Sequence, residues 1–255
     1  MSNNDTTPII QITNITYLYP NNTIGLKQLS LQIYKGEFVV IAGSNGSGKT
    51  TLLRHFNGLL QPQKGQVRVC NMDVKTHHFQ IKQHVGMIFQ NPDTQIIGET
   101  VYDEVAFGPE NLCLDRDIIN TRVHHAIQDV GLTHVINQAP YTLSGGEKRR
   151  LAIAGILAMQ SDIIVFDEPF SELDYTGVKQ ILNQMVRLHQ KGHTLIVTTH
   201  DIEKIYSHAS RMIIMADGQI QKDGPPQALL IDLEKFGIRE PCGSRYGKTI
   251  ESWLT

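Results

Sequence analysis

Apolar runs punctuated by glycine and polar turns set out the architecture of this chain before any single residue is considered. Ile9 to Tyr17 and Leu29 to Tyr34 read as strands separated by the turn-like Pro20-Asn-Asn-Thr23. Phe38-Val-Val-Ile-Ala42 is apolar at every position, the pattern of a strand covered on both faces. Thr51 to Phe56 then takes helical spacing and stops near Gly58. Shorter strands are expected at Gln66 to Cys70 and Val85 to Phe89, followed by a helical insertion in which Ile118 to Val130 carries the clearest periodicity. A long helix near 145–159, a strand Ile163 to Phe166, a helix near 176–190 and strands Thr194 to Thr199 and Met212 to Met215 complete the pattern. Strands alternating with helices predict an α/β fold with a parallel core sheet, preceded here by a β-rich N-terminal part. The expected organisation is one domain over 1–223, with the helical insertion at about 91–160, and a C-terminal extension over 224–255 too short to fold alone. Within that extension, Leu229 to Phe236 reads as an amphipathic helix, and Trp253 as packing either on this chain or on a partner.

Charge and composition narrow the function by exclusion. The 255 residues hold 23 Lys plus Arg against 25 Asp plus Glu, a formal charge of −2, so no net basic field favours nucleic acid or anionic lipid. No apolar run approaches the roughly 20 residues that span a bilayer. Met1 to Pro8 has neither the basic nor the apolar region of a secretory signal. Three scattered cysteines, Cys70, Cys113 and Cys242, suggest neither a disulfide framework nor a zinc knuckle.

The chemistry is concentrated in short motifs. Gly43-Ser-Asn-Gly-Ser-Gly-Lys-Thr50 follows a predicted strand and opens a helix, the context in which G-x-x-x-x-G-K-[ST] binds phosphate. Gly43, Gly46 and Gly48 allow backbone N–H groups to turn inward, the helix N-terminus adds partial positive charge, and Ser44, Asn45, Ser47 and Thr51 complete the wall. Lys49 is placed against the β- and γ-phosphates, and Thr50 offers a hydroxyl to Mg²⁺. Asp167 and Glu168 stand at the end of the apolar strand Ile163 to Phe166, where ligands meet an open α/β sheet. Asp167 suits the metal, and Glu168 suits the activation of water. A second anion-suited helix start lies at Leu143-Ser-Gly-Gly-Glu147, with Ser144, Gly145 and Gly146 as donors and Lys148-Arg-Arg150 behind them.

In this order the motifs resemble the ATP-binding cassette (ABC) family over nearly the whole chain. The resemblance implies a P-loop NTPase fold of ABC type, with a parallel core sheet, an N-terminal antiparallel β subdomain and an inserted helical subdomain. It implies ATP and Mg²⁺ as ligands, and a second ATPase subunit, identical or related, closing head to tail so that each signature loop covers the other's nucleotide. It gives Gln90 a role at Mg²⁺ and the attacking water, His200 a role on the γ-phosphate, and Ser171-Glu-Leu-Asp174 a place across the dimer interface. Tyr19, with Tyr17 as the alternative, takes the place of the adenine-stacking aromatic. Gly86 to Gln95 and Thr100 to Pro109 look like the ATPases of energy-coupling factor (ECF) transporters, importers of vitamins or Co²⁺/Ni²⁺. The implied assembly adds a transmembrane coupling protein, docked near Gln90 with Asp93 as acceptor for one of its arginines, and a substrate-capture membrane protein. Its place is the cytoplasmic face of the membrane, peripherally bound. The alternatives are a non-transport ABC ATPase or another importer class. A P-loop kinase or GTPase leaves the second loop unexplained. Three positions depart from the family pattern: Glu147 for Gln, Phe170 for Thr, and Glu172 in the loop after it.

Overall fold

The computed structural model describes residues 7–231, 233–245 and 250–254. The chain begins with β1 (Ile10–Leu18), β2 (Ile24–Ile33) and β3 (Phe38–Ala42), then α1 (Lys49–Phe56), β4 (Lys64–Val69), β5 (Met72–Asp73), α2 (His78–His84) and β6 (Val85–Ile88). Three helices follow, α3 (Val101–Asn111), α4 (Arg116–Asp129) and α5 (Gly145–Met159). The last elements are β7 (Ile163–Asp167), α6 (Tyr175–Gln190), β8 (Thr194–Thr199), β9 (Arg211–Ala216), β10 (Gln219–Gly224) and the single turn α7 (Cys242–Arg245).

Two sheets result. An antiparallel one has the order β2-β1-β4-β5, and a larger one the order β10-β9-β3-β8-β7-β6. In the larger sheet β9, β3, β8, β7 and β6 run parallel, and β10 pairs antiparallel with β9 at the edge. The unbroken apolar run of β3 is explained by a core on each side. Phe38, Val40 and Ala42 join the core with α3 to α6, while Val39 and Ile41 face α1 and the antiparallel sheet. β7 alternates likewise, Ile164 and Phe166 one way and Ile163 and Val165 the other.

Several elements differ from the sequence expectation, and the open choice for Trp253 is decided. β2 starts at Ile24, where Leu26 pairs with Tyr17 of β1 and is fully buried. β10 and α2 were absent from the expectation, because β10 is a largely polar edge strand and α2 buries only Ile81. Leu229 to Phe236 is no continuous helix: Pro226–Leu229 and Leu233–Phe236 are separate 3₁₀ turns, with Leu229 and Leu233 in the main core, while Asp232 lies outside the described residues. Trp253 packs on its own domain, against Tyr175 at 5.5 Å between ring centroids and beneath the Lys204 ammonium.

Candidate functional site

Parallel strands point their C-terminal ends the same way, so β3, β7, β8 and β6 deliver the phosphate loop, Asp167-Glu168, His200 and Gln90 to one edge. Register makes the placement tight: Ala42 pairs with Thr199 and Asp167 with Thr198. A cavity of about 340 Å³ opens there, lined by Tyr19, Asn45 to Thr51, Gln90 and Glu168, and also by Thr23, Ile24 and Gly25. Ile24 and Gly25 come from the part of β2 that sequence pattern did not reveal, and Thr23 stands just before it. Tyr19 borders the cavity with its hydroxyl 2.7 Å from Thr51 Oγ1, whereas Tyr17 is buried behind it, edge-on to both Tyr19 and His55.

Glycine is required in the phosphate loop by contact as well as by dihedral. Gly48 has φ +100°, and a Cβ there would stand 2.8 Å from the Gly25 carbonyl. Gly218, in the β9–β10 turn, packs on the same carbonyl; its N–H donates to Ser47 O and its carbonyl accepts from Lys27 N–H. Lys49 is 6 % exposed and donates to Gly43 O at 2.8 Å and Ser44 O at 3.1 Å. Burial pulls its ammonium below the ordinary lysine range, and the Glu168 and Asp167 charges oppose that pull.

Thr50 donates to Asp167 Oδ1 at 3.1 Å, and buried Thr198, a residue sequence reasoning missed inside its apolar strand, donates to the same oxygen at 2.6 Å. The Thr50 hydroxyl and the Asp167 carboxylate together form a hard-oxygen donor set that fits Mg²⁺. Glu168 has φ +48°, a left-handed conformation that costs a non-glycine residue about 1–3 kcal/mol and aims the carboxylate into the cavity. His200 donates from Nδ1 to Glu168 Oε2 at 2.9 Å, and Lys49 Nζ stands 3.6 Å from Oε1. Oε1 itself is buried with no hydrogen-bond partner, as is Ser47 Oγ, so the pocket holds unsatisfied polar groups of the kind a phosphate and its water would engage.

Ser144, Gly145 and Gly146 do not line this cavity. They start α5 at an exposed position, closed by a capping box: Ser144 Oγ donates to Glu147 Oε2 at 2.7 Å and accepts from Glu147 N–H. Those bonds hold the Glu147 carboxyl below its usual range. Asp174 caps α6 through Gly177 N–H. Phe170 is explained by burial in the main core. The Asp93 expectation changes: its carboxylate is taken by Lys148 of this chain at 2.6 Å, which competes with any arginine from outside.

A phosphate loop on a parallel sheet, a carboxylate pair at the adjacent strand end and a second capped glycine loop define a P-loop ATPase. Residues 26–171 match the family described as ABC transporter. The chain belongs to the ABC transporter family, and its activity is ATP hydrolysis as an energy-coupling subunit of ECF type. It is 42 % identical over 91 % of its length to the energy-coupling factor transporter ATP-binding protein EcfA of Methanocaldococcus jannaschii, covering 86 % of that protein. It is 45 % identical to EcfA of Methanosarcina acetivorans, over 88 % of this chain and 82 % of that one. The structure of cbiO1 from Clostridium perfringens, part of the ABC transporter complex cbiONQ, superposes with a TM-score of 0.81 at 33 % identity, over 90 % of this chain and 93 % of the other. The dimeric cassette MJ0796 in a post-hydrolysis state with ADP and Pi gives 0.75 at 28 % identity, over 85 % and 98 %.

Proposed function

We propose that this chain hydrolyses ATP only when a second cassette lays Ser144, Gly145 and Gly146 of its own copy, or the equivalent loop of a related subunit, over the γ-phosphate held by Lys49. The observation that carries this reading is the separation of two phosphate-suited loops in one chain: the cavity at Lys49 contains no residue of the loop at Ser144, which faces outward. The dimeric relative with ADP and Pi supports it.

Within each site, Gly43 to Thr51 cradle the phosphates and Tyr19 stacks on adenine. Thr50 and Asp167 would hold Mg²⁺, with Gln90 of the same cavity as a further oxygen donor. When bound, the metal neutralises charge on the phosphates. Glu168 accepts a proton from water aimed at the γ-phosphorus, and His200 holds that carboxylate and reaches the phosphate. Lys49 then exchanges the carbonyls of Gly43 and Ser44 for phosphate oxygens, a trade of neutral for charge-assisted bonds.

Work leaves the chain through an apolar groove of about 450 Å³ beside Gln90, walled by Leu59, Met87, Phe89, Ile97, Phe107 and Ile156. Leu59, Ile97 and Phe107 are exposed there, and the groove suits a cytoplasmic helix of a transmembrane coupling protein. No helix among the described residues is long and apolar enough to cross a membrane, which fits a peripheral subunit at the cytoplasmic face. A metal ion such as Co²⁺ or Ni²⁺, or a vitamin, is then captured by a separate membrane protein. Glu168→Gln tests the assignment: ATP binding persists, hydrolysis falls by about 10²–10⁴-fold, and closed dimers accumulate on size-exclusion chromatography. Undiminished turnover removes Glu168 from its role, and full turnover by strictly monomeric protein removes the dimer.

A further inference from the structure

Arg149 on α5 is 3 % exposed, and it bonds to two different loops. Its Nη2 donates to the Ser171 carbonyl at 2.5 Å, and lies 3.3 Å from Ser171 Oγ and 3.4 Å from the Gln90 carbonyl. The Glu172 carboxylate acts on it only through its field, and burial pulls the guanidinium below its ordinary value. Nε is buried with no partner. A buried guanidinium whose bonds go to neutral backbone carbonyls and a hydroxyl is costly to desolvate.

The two loops and the helix that carries Arg149 serve different nucleotides. Gln90 lines the cavity of this chain's own ATP. Ser171 is tied to Glu168 of that same site, its N–H and Oγ both donating to Glu168 O. α5 begins at Ser144, which in the dimer serves the neighbour's ATP, and a Cβ on Gly145 would lie 3.9 Å from Arg149 Nη1. A shift of Gln90 or of the Glu168 strap therefore pulls on the helix that is presented across the interface.

We propose that Arg149 is a positioning residue that couples the two nucleotide sites of the dimer, by fixing the start of α5 to the Gln90 and Glu168 segments of its own chain. This inference rests on the head-to-tail dimer. Lysine keeps the charge but replaces the rigid planar fork with a flexible point donor, so Arg149→Lys is expected to act in part and Arg149→Gln poorly.

The test uses the chain assembled with its partner ATPase, alongside the chain alone. Arg149→Gln should lower kcat by at least tenfold and bring the dependence on ATP concentration from a Hill coefficient near 2 to near 1. Binding of a non-hydrolysable ATP analogue to the isolated chain should stay within twofold of wild type. Arg149→Lys should fall between, and it alone decides the matter if the glutamine variant fails to fold. Wild-type kcat and steepness in the foldable variants overturn the proposal, as does a loss accounted for entirely by weaker analogue binding. A wild-type protein that hydrolyses ATP at full rate as a monomer with a Hill coefficient of 1 overturns the dimer itself, a result visible before any variant is made.

Discussion

Two glycine–serine loops in this chain each open a helix, and the structure treats them in opposite ways. The loop before α1 is enclosed: Ser47 and Lys49 are buried, Gly48 is wedged against Gly25, and unsatisfied polar atoms remain at Ser47 Oγ and Glu168 Oε1. The loop before α5 is exposed, and its serine is engaged by Glu147 in the same turn. Similar composition and similar helix dipoles thus produce one pocket with unmet bonding capacity and one surface whose side-chain donor is already occupied. The surrounding fold decides whether such a helix start is an enclosed pocket or an exposed face.

The contrast is open to attack at several points. The largest expected effect is at Gly48→Ala, where left-handed φ and the clash with Gly25 O should cost at least about 1–3 kcal/mol and weaken ATP binding to the isolated chain, read by thermal melting and calorimetry. Gly145→Ala meets nothing nearer than 3.9 Å, so stability should change by no more than about 1 kcal/mol while the assembled dimer loses on the order of tenfold in turnover. Equal behaviour of the two variants would erase the distinction. Glu147→Gln keeps a side chain able to close the capping box but removes a charge that, in the proposed dimer, would face the neighbour's phosphates. ATP-driven dimerisation should tighten by about two- to fivefold at low salt, from an interaction of roughly 0.3–1 kcal/mol, with the gain shrinking as salt rises. The smallest effect concerns His55, fully buried behind the phosphate loop, whose protonation is pushed below 6.5 by desolvation. Because the unfolded chain then binds more protons, this contribution is complete above pH 6.5 and is lost as pH falls below it. Melting temperature should drop correspondingly on acidification, and His55→Gln should flatten that part of the profile.

Much of the enclosed loop was legible because its residues follow strands whose apolar runs are unmistakable. β3, β7 and β8 are covered on both faces, so the pattern marks both the strand and the residue that leaves it. What stayed hidden lacks that contrast. The first half of β2 mixes exposed and buried positions around Gly25, β10 carries one apolar side chain at an edge, and α2 buries a single residue. Thr198 and Arg149 illustrate a different limit. One is a hydroxyl inside a strand and the other sits in a basic run that reads as solvated surface, and only tertiary contacts turn them toward Asp167, Ser171 and Gln90. Asp93 was read as free for a partner because its salt bridge to Lys148 spans 55 positions.

The meeting of Gly25, Gly48 and Gly218 also bears on how the protein is made. Gly218 bonds to Ser47 on one side and Lys27 on the other, so the phosphate loop is braced by a turn that leaves the ribosome long after the loop itself. A nascent chain that stops short of this turn carries the complete G-x-x-x-x-G-K-[ST] segment yet lacks the clamp that shapes it. A chain cut before this turn is accordingly expected to hold nucleotide more weakly than one that includes it.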